Sequence, residues 1–227
     1  MSPLVLETPR SRPDVVERRG GDLPPIPPVD DGGDDGPREP RPGGPRLDNT
    51  RLAMIFFLAG ESMFFAGLIS SYLVLRLGAA LWPPPLQPRL PVLVTGVNTL
   101  VLLASSLAIV AAMRAVRRGD GKALVERLGV AAALGLLFLA VQGYEWARLL
   151  EYGLTLSSGA YGATFYTLIG VHGVHVLGAL VWLAITLIRA ARGRFSDGRL
   201  ASLRACTTYW HYVVGLWPIL YVTVYLL

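Results

Sequence analysis

A long apolar segment with a single charge constrains the fold of this chain more than any other feature. Between Arg51 and Arg76 lie 24 residues, of which only Glu61 is charged. A helix of that length rises 1.5 Å per residue and crosses a bilayer core of roughly 30 Å. The segment therefore predicts a membrane span, labelled span A.

Four later segments share this character and are labelled spans B to E. Lipid offers backbone groups no hydrogen bonds, and the alternating pattern of a barrel strand is absent, so each segment must be a helix. The sequence predicts an all-α, polytopic membrane bundle of five transmembrane helices over residues 51–227. Spans B to E occupy residues 90–113, 128–148, 161–188 and 205–227.

The first 50 residues have a different composition. They hold ten acidic residues and seven arginines, are rich in Pro and Gly, and contain no aromatic residue. Such a segment cannot bury enough apolar surface to offset its ordering entropy. We predict a disordered cytoplasmic tail over 1–50, and because no apolar run near its start resembles a signal peptide, span A is expected to target the chain.

The connections between spans differ in charge, which predicts an orientation. Short loops rich in Lys and Arg stay in the cytoplasm, so the B–C and D–E connections should lie there. The N-terminus is then cytoplasmic and Leu227 lies outside, with the chain in the plasma membrane of a prokaryote. The basic residues are Arg114, Arg117, Arg118, Lys122 and Arg127 in the first connection, and Arg189, Arg192, Arg194, Arg199 and Arg204 in the second.

Aromatic residues near the predicted span ends are interpreted mostly as an interfacial belt. Small and polar residues inside the spans are interpreted as packing sites, with glycines on span D admitting a neighbouring helix and hydroxyl or amide groups on span B bonding across helices. The belt residues are Trp82, Tyr144, Trp146, Tyr152, Tyr209 and Trp210. The packing residues are Gly162, Gly170 and Gly173 on span D, Asn98, Thr99, Ser105 and Ser106 on span B, and also Trp82 and Trp210 of the belt.

Glu61 is the strongest functional candidate, because an ionisable group deep in the membrane is costly unless it is paired or neutralised. It lies ten residues after Arg51, about 15 Å along the helix and so near the bilayer midplane. One interpretation is a carboxyl that exchanges protons or contacts lipid. The other is a protonated group that hydrogen-bonds between helices.

The three histidines leave more alternatives open. His172 and His175 are three residues apart and share a helical face, while His211 is placed near the start of span E. They could form interhelical hydrogen bonds, ligate a metal or haem, or bind a lipid phosphate or partner subunit. Glu145 precedes Arg148 by three residues on span C, which predicts an ion pair near the membrane surface.

Residue counts argue against a redox centre in this chain. A haem–copper catalytic subunit needs about half a dozen histidines, and a dinuclear copper domain needs two cysteines. The chain has three histidines and one cysteine, Cys206. We expect no metal site, no catalytic residue and no cofactor bound by this chain.

The order of motifs resembles subunit III of cytochrome c oxidase, a haem–copper respiratory oxidase. The resemblance runs in register over 51–227, and in span A the family's intramembrane glutamate corresponds to Glu61. The matching segments are Arg51 to Phe65, Trp82-Pro83-Pro84 followed by Asn98-Thr99 and Leu102 to Ser106, Gln142 to Trp146, Ser158 to Val176, and Tyr209 to Trp217.

The resemblance implies an accessory role beside catalytic subunit I, which with its partners carries the haem and copper. The family binds phospholipid, supports proton uptake and protects the catalytic site, while dioxygen reduction and proton translocation belong to the complex. Membrane lipids are expected partners and nucleic acid is not. By this resemblance the polar positions involved are Glu61, Arg51, His172, His175, His211 and Glu145.

Two departures from the family pattern stand out. Many members have seven helices, with the first two across a lipid-filled cleft, whereas this chain starts at the third. Val214 occupies a position where the family usually has Asp. The rival interpretations are subunit III of a quinol oxidase, a homologue associated with nitric oxide reductase, a small proton-coupled transporter, and a haem b anchor ligated by His172 or His175 with His211.

Overall fold

A computed structural model describes residues 49–85, 87–88, 90–193 and 200–227 of the chain. These residues form five α-helices, and the last continues into a short π-helix. The helices are α1 (Asn49–Gly78), α2 (Val92–Arg117), α3 (Gly121–Glu151), α4 (Gly159–Ala191) and α5 (Leu200–Tyr221), with the π-helix at Val222–Leu226. The five predicted helices are confirmed.

The helices extend past the uncharged segments that predicted them. Helix α2 continues through Arg114 to Arg117, and α3 begins at Gly121, seven residues before the predicted span. Asp120 caps α3, because its Oδ1 accepts a hydrogen bond of 2.9 Å from the backbone N–H of Ala123. The basic residues assigned to a loop are therefore mostly helical.

Four of the helices, α1 to α4, are long and apolar enough to cross a membrane. Helix α5 is shorter, with 22 residues, and carries polar residues such as Thr207 and His211 in its middle. It also contains Pro218, which removes one backbone hydrogen bond four residues before the π-helix. Its length suffices for a membrane span, but its composition is less apolar than that of α1 to α4.

A seven-residue repeat runs along the core-facing side of α3. In α3 the buried residues alternate steps of four and three along the whole helix: Leu124, Leu128, Ala131, Gly135, Phe138, Gln142, Glu145 and Leu149. This spacing keeps one seam facing its neighbours, as in helices that cross at a shallow angle. Helices α2, α4 and α5 bury eight, ten and nine residues at less regular spacings.

Helix α1 is packed far less tightly than the others. Only Phe65 and Tyr72 of its 30 residues are buried, and it contacts α4 and α5. Large apolar side chains cover the rest of its surface, among them Phe56 at 69% and Met63 at 78% exposure. The exposed face of α1 is suited to lipid or to another membrane protein.

The α1–α2 and α3–α4 connections lie at the same end of the bundle. Trp82, in the first, packs edge-on against Tyr161 in the first turn of α4, with ring centroids 5.1 Å apart. The hydroxyl of Tyr161 also donates a 3.5 Å hydrogen bond to the carbonyl of Pro88. Residues 1–48 of the predicted disordered tail and Arg194 and Arg199 of the D–E connection lie outside the described residues, whereas Asn49 and Thr50, also assigned to the tail, are helical.

Gly170 and Gly173 of span D admit a side chain of the neighbouring helix α3, whereas Gly162 packs closest to its own chain just before α4 rather than to a neighbouring helix. A Cβ on Gly162 would clash with the carbonyl oxygen of Thr155, in the connection that precedes α4. At Gly170 and Gly173 it would lie 3.6 Å from Cη2 of Trp146, an ordinary contact with a side chain of α3. The tightest contact with a neighbouring helix is at Gly135, which sequence reasoning missed.

Trp210 packs in the core, with 1% of its surface exposed, and does not lie in an interfacial belt. Its six-membered ring rests on Gly135, where an added Cβ would approach Cη2 to 2.5 Å. Tyr209 is also buried, whereas Tyr144 and Tyr152 are exposed at the end of α3. Trp82 is half-buried against Tyr72 and Tyr161.

Candidate functional site

Glu61 and His175 meet between α1 and α4. Oε2 of Glu61 lies 2.9 Å from Nε2 of His175, and the two side chains are 18% and 20% exposed. The distance between these two atoms is short enough for an ion pair. Their relative orientation is not that of a hydrogen bond, since Oε2 of Glu61 has no hydrogen-bond partner in the described residues. The carboxyl that the sequence singled out is therefore paired with one of the two predicted histidines.

The backbone determines which nitrogen of His175 carries a proton. Nδ1 lies 2.7 Å from the carbonyl oxygen of Val171, and because a carbonyl only accepts, Nδ1 must be the donor. Nε2 is then left to share a single proton with the Glu61 carboxyl once the two groups are aligned for a hydrogen bond. Whether that proton resides on the carboxyl or on the imidazole, the pair has no net charge, so a proton can move within it without leaving a charge in the membrane.

His172 lies one turn earlier on α4 and is completely buried. Its ring stacks on Trp217 at a centroid distance of 5.0 Å and meets Phe65 edge-on at 6.2 Å. Neither ring nitrogen has a hydrogen-bond partner among the described residues. Phe65 also packs edge-on against His175 at 5.1 Å, so one α1 side chain positions both histidines.

Polar residues of α2 bond to α5, as the packing interpretation predicts. Ser106 bonds to Nδ1 of His211, in the middle of α5 rather than at its start. Nε1 of Trp210 donates to Ser105 at 3.1 Å, and Nε1 of Trp217 donates to Thr99 at 2.8 Å. Asn98 instead reaches α3, where Nδ2 donates to the carbonyl of Phe138 at 3.0 Å.

The remaining candidates lie apart from the Glu61–His175 pair. Arg51 is exposed in the first turn of α1. Glu145 is buried in α3, but within the described residues it makes no ion pair with Arg148. The guanidinium of Arg148 donates instead to the hydroxyl of Tyr152 at 2.8 Å, so the predicted ion pair is wrong. Val214, at the family's Asp position, is buried.

The described part of the chain contains no group of three His, Cys, Asp or Glu side chains that could hold a metal ion. Two histidines already have protein partners, His175 with Glu61 and His211 with Ser106. Cys206 is buried in α5. The arrangement can hold and exchange a proton between α1 and α4.

Comparison with known proteins matches the same region of the chain. The model of the family described as cytochrome c oxidase subunit III matches residues 47–227. Cytochrome c oxidase subunit 3 of Synechocystis is 36% identical over 181 residues, covering 79% of this chain and 76% of the relative. The Sus scrofa protein of that name is 34% identical, covering 77% and 68%. A probable cytochrome c oxidase subunit 3 of Nocardia farcinica is 37% identical, covering 79% and 89%.

The family match includes every residue of the Glu61–His175 pair and of the α2–α5 hydrogen bonds. It confirms the resemblance drawn from the motifs. This chain belongs to the cytochrome c oxidase subunit III family.

Proposed function

We propose that this chain is an accessory subunit of a proton-pumping haem–copper oxidase in a prokaryotic plasma membrane. It lies beside catalytic subunit I, stabilises it, retains phospholipid and supports proton uptake, while the haem and copper lie in the partner subunits. Its five helices, including α5, cross the membrane with the N-terminus in the cytoplasm and Leu227 outside.

The Glu61–His175 contact carries this proposal. A carboxyl and an imidazole 2.9 Å apart, at 18% and 20% exposure, form a pair that stays neutral when a proton enters at one group as another leaves from its partner, so a proton passes through it at small electrostatic cost. Both lie on helix surfaces within the apolar part of the chain. Such a pair suits a proton reservoir that communicates with a neighbouring uptake path.

The exposed face of α1 supports the partner and lipid part of the proposal. This helix buries only two residues against its own chain, although it holds half of the proton-sharing pair. Phospholipid and catalytic subunit I would cover the remaining apolar surface. Contacts there would also restrict solvent access to Glu61.

The decisive experiment replaces Glu61 in the assembled oxidase. Glu61→Gln keeps the size of the side chain but cannot ionise, so we expect slower proton uptake and faster inactivation during turnover. Glu126→Gln, at an exposed carboxyl of α3, is the matched control and should behave as wild type. Unchanged turnover, lipid content and inactivation rate in Glu61→Gln would exclude the proposed role of the pair.

The proposed electron donor is cytochrome c, because the relatives described above are named cytochrome c oxidase subunits. Purification in mild detergent should recover this chain with a catalytic subunit that oxidises cytochrome c. Recovery with a catalytic subunit that oxidises only quinol would contradict this part of the proposal.

A further inference from the structure

An apolar groove lies between the N-terminal half of α2 and the C-terminal half of α3. Its volume is about 330 Å³. Six of its seven lining residues are aliphatic, and several are strongly exposed, including Leu93 at 82% and Val97 at 58%. The lining residues are Leu93, Val94, Val97, Asn98, Val101, Leu137 and Val141.

A cationic cluster continues the same face of α3 beyond the groove. Tyr144, Arg148 and Tyr152 follow Val141 at steps of three and four residues, which align them on one side of the helix. The guanidinium carbon of Arg148 lies 5.9 Å and 5.6 Å from the centroids of the Tyr144 and Tyr152 rings. These contacts, with the 2.8 Å hydrogen bond to the Tyr152 hydroxyl, orient the cation.

The charge of Arg148 is not neutralised by an ion pair within the part of the chain that the structure describes. The two acidic residues nearest in sequence are Glu145, which is buried against the core with 7% exposure, and Glu151, which lies three residues after Arg148. Arg148 therefore presents N–H groups at the surface of the helix bundle, near the end of α3. A planar guanidinium suits a phosphate, which can accept two of its hydrogen bonds at once.

The distances along α3 match an amphipathic ligand. Arg148 is seven residues beyond Val141, so its Cα lies about 10 Å further along the axis. Because α2 and α3 are antiparallel neighbours joined by residues 118–120, Leu93 near the start of α2 also lies at this end. The cation thus lies at the depth of a lipid headgroup, and the groove lies at the depth of its acyl chains.

We propose that this groove and the Tyr144–Arg148–Tyr152 cluster form a binding site for one phospholipid. Its phosphate accepts hydrogen bonds from Arg148, and one acyl chain lies in the groove between α2 and α3. The site lies on helices other than α1 and α4, which hold Glu61 and His175. Its occupancy is therefore independent of the proton-sharing pair.

Photocrosslinking in the assembled complex tests this site. The photoreactive amino acid p-benzoylphenylalanine replaces Val97 in the groove or, as the matched control, Leu107, which is 71% exposed on α2 but does not line the groove. After illumination in native membranes, mass spectrometry of the purified chain identifies the adduct. We expect a phospholipid adduct at position 97, and we expect Arg148→Gln to reduce its yield about tenfold, as the loss of charge-assisted hydrogen bonds predicts.

The controls separate a specific site from bulk lipid. Lipid adducts at position 107 should not change with Arg148→Gln, and Arg148→Lys should retain part of the yield at position 97. A polypeptide adduct at position 97 would show that another subunit fills the groove and would overturn the proposal. The proposal would also be overturned if the yield of the phospholipid adduct at position 97 did not change with Arg148→Gln.

Discussion

Glycines of α3 differ in what surrounds them, although all of them look alike in the sequence. Gly135 faces the ring of Trp210, with Cη2 at 2.5 Å and Cζ2 at 2.9 Å from an added Cβ. Gly129, two turns earlier on the same helix, has nothing within 4 Å of such an atom. The indole is itself fixed by its hydrogen bond to Ser105, so it cannot easily move away.

Gly135→Ala is expected to destabilise the subunit by about 1–3 kcal/mol, because the new methyl group overpacks the contact between α3 and α5. Gly129→Ala is the control, and it should be neutral or slightly stabilising because alanine favours helix. Thermal unfolding of both variants in detergent, followed by retention of the subunit in the complex, measures the difference. Equal stability of the two variants would mean that Trp210 is not constrained as described.

The ionisable residues show what the sequence could predict at this scale. Glu61 could be singled out because it is the one charged residue in a long apolar segment, and its position along the helix places it deep in the membrane, where a charge is costly. Its pairing with His175 rather than His172 could not be predicted, since it depends on the rotation of α1 against α4. Arg148 was assigned to Glu145 by spacing alone, and the cation instead contacts two tyrosines on its exposed side.

Between elements, α2 and α5 are joined by hydrogen bonds from tryptophan side chains. Trp217 donates to Thr99, whose own hydroxyl donates to the carbonyl of Thr95 at 2.8 Å. Trp210 and His211 bond to Ser105 and Ser106 one to two turns further along α2. These bonds fix the register of α5 against α2.

A double-mutant cycle measures one of these bonds. Trp217→Phe and Thr99→Val each remove one partner, and we expect a coupling free energy of about 0.6 kcal/mol, typical of interhelical hydrogen bonds in membrane proteins. Thermal unfolding of the two single variants and the double variant provides the cycle. Pairing Trp217→Phe with Leu107→Ala, at an exposed site on α2, should give no coupling, and a similar value in both cycles would argue against a direct bond.

At the scale of the whole molecule, the number of helices in the described residues was predictable, but their exact ends and packing were not. Uncharged length fixed where the helices are, since a membrane core excludes charges. Their ends extend further because Arg114 and Arg117 can remain helical while their side chains reach water. The weak burial of α1 could not be predicted, because its apolar surface resembles that of the tightly packed helices and only the contacts distinguish them.

Orientation of the whole chain is testable because Cys206 is its only cysteine and is buried. In a Cys206→Ala background, a reporter cysteine replaces exposed Lys122 in the first turn of α3 or Leu156 in the α3–α4 connection. The basic residues around Lys122 should hold that end of the bundle in the cytoplasm. A membrane-impermeant maleimide added to intact cells should therefore label Leu156→Cys but not Lys122→Cys. Both should react equally after solubilisation, and labelling of Lys122→Cys alone in intact cells would reverse the proposed orientation and place the N-terminus outside.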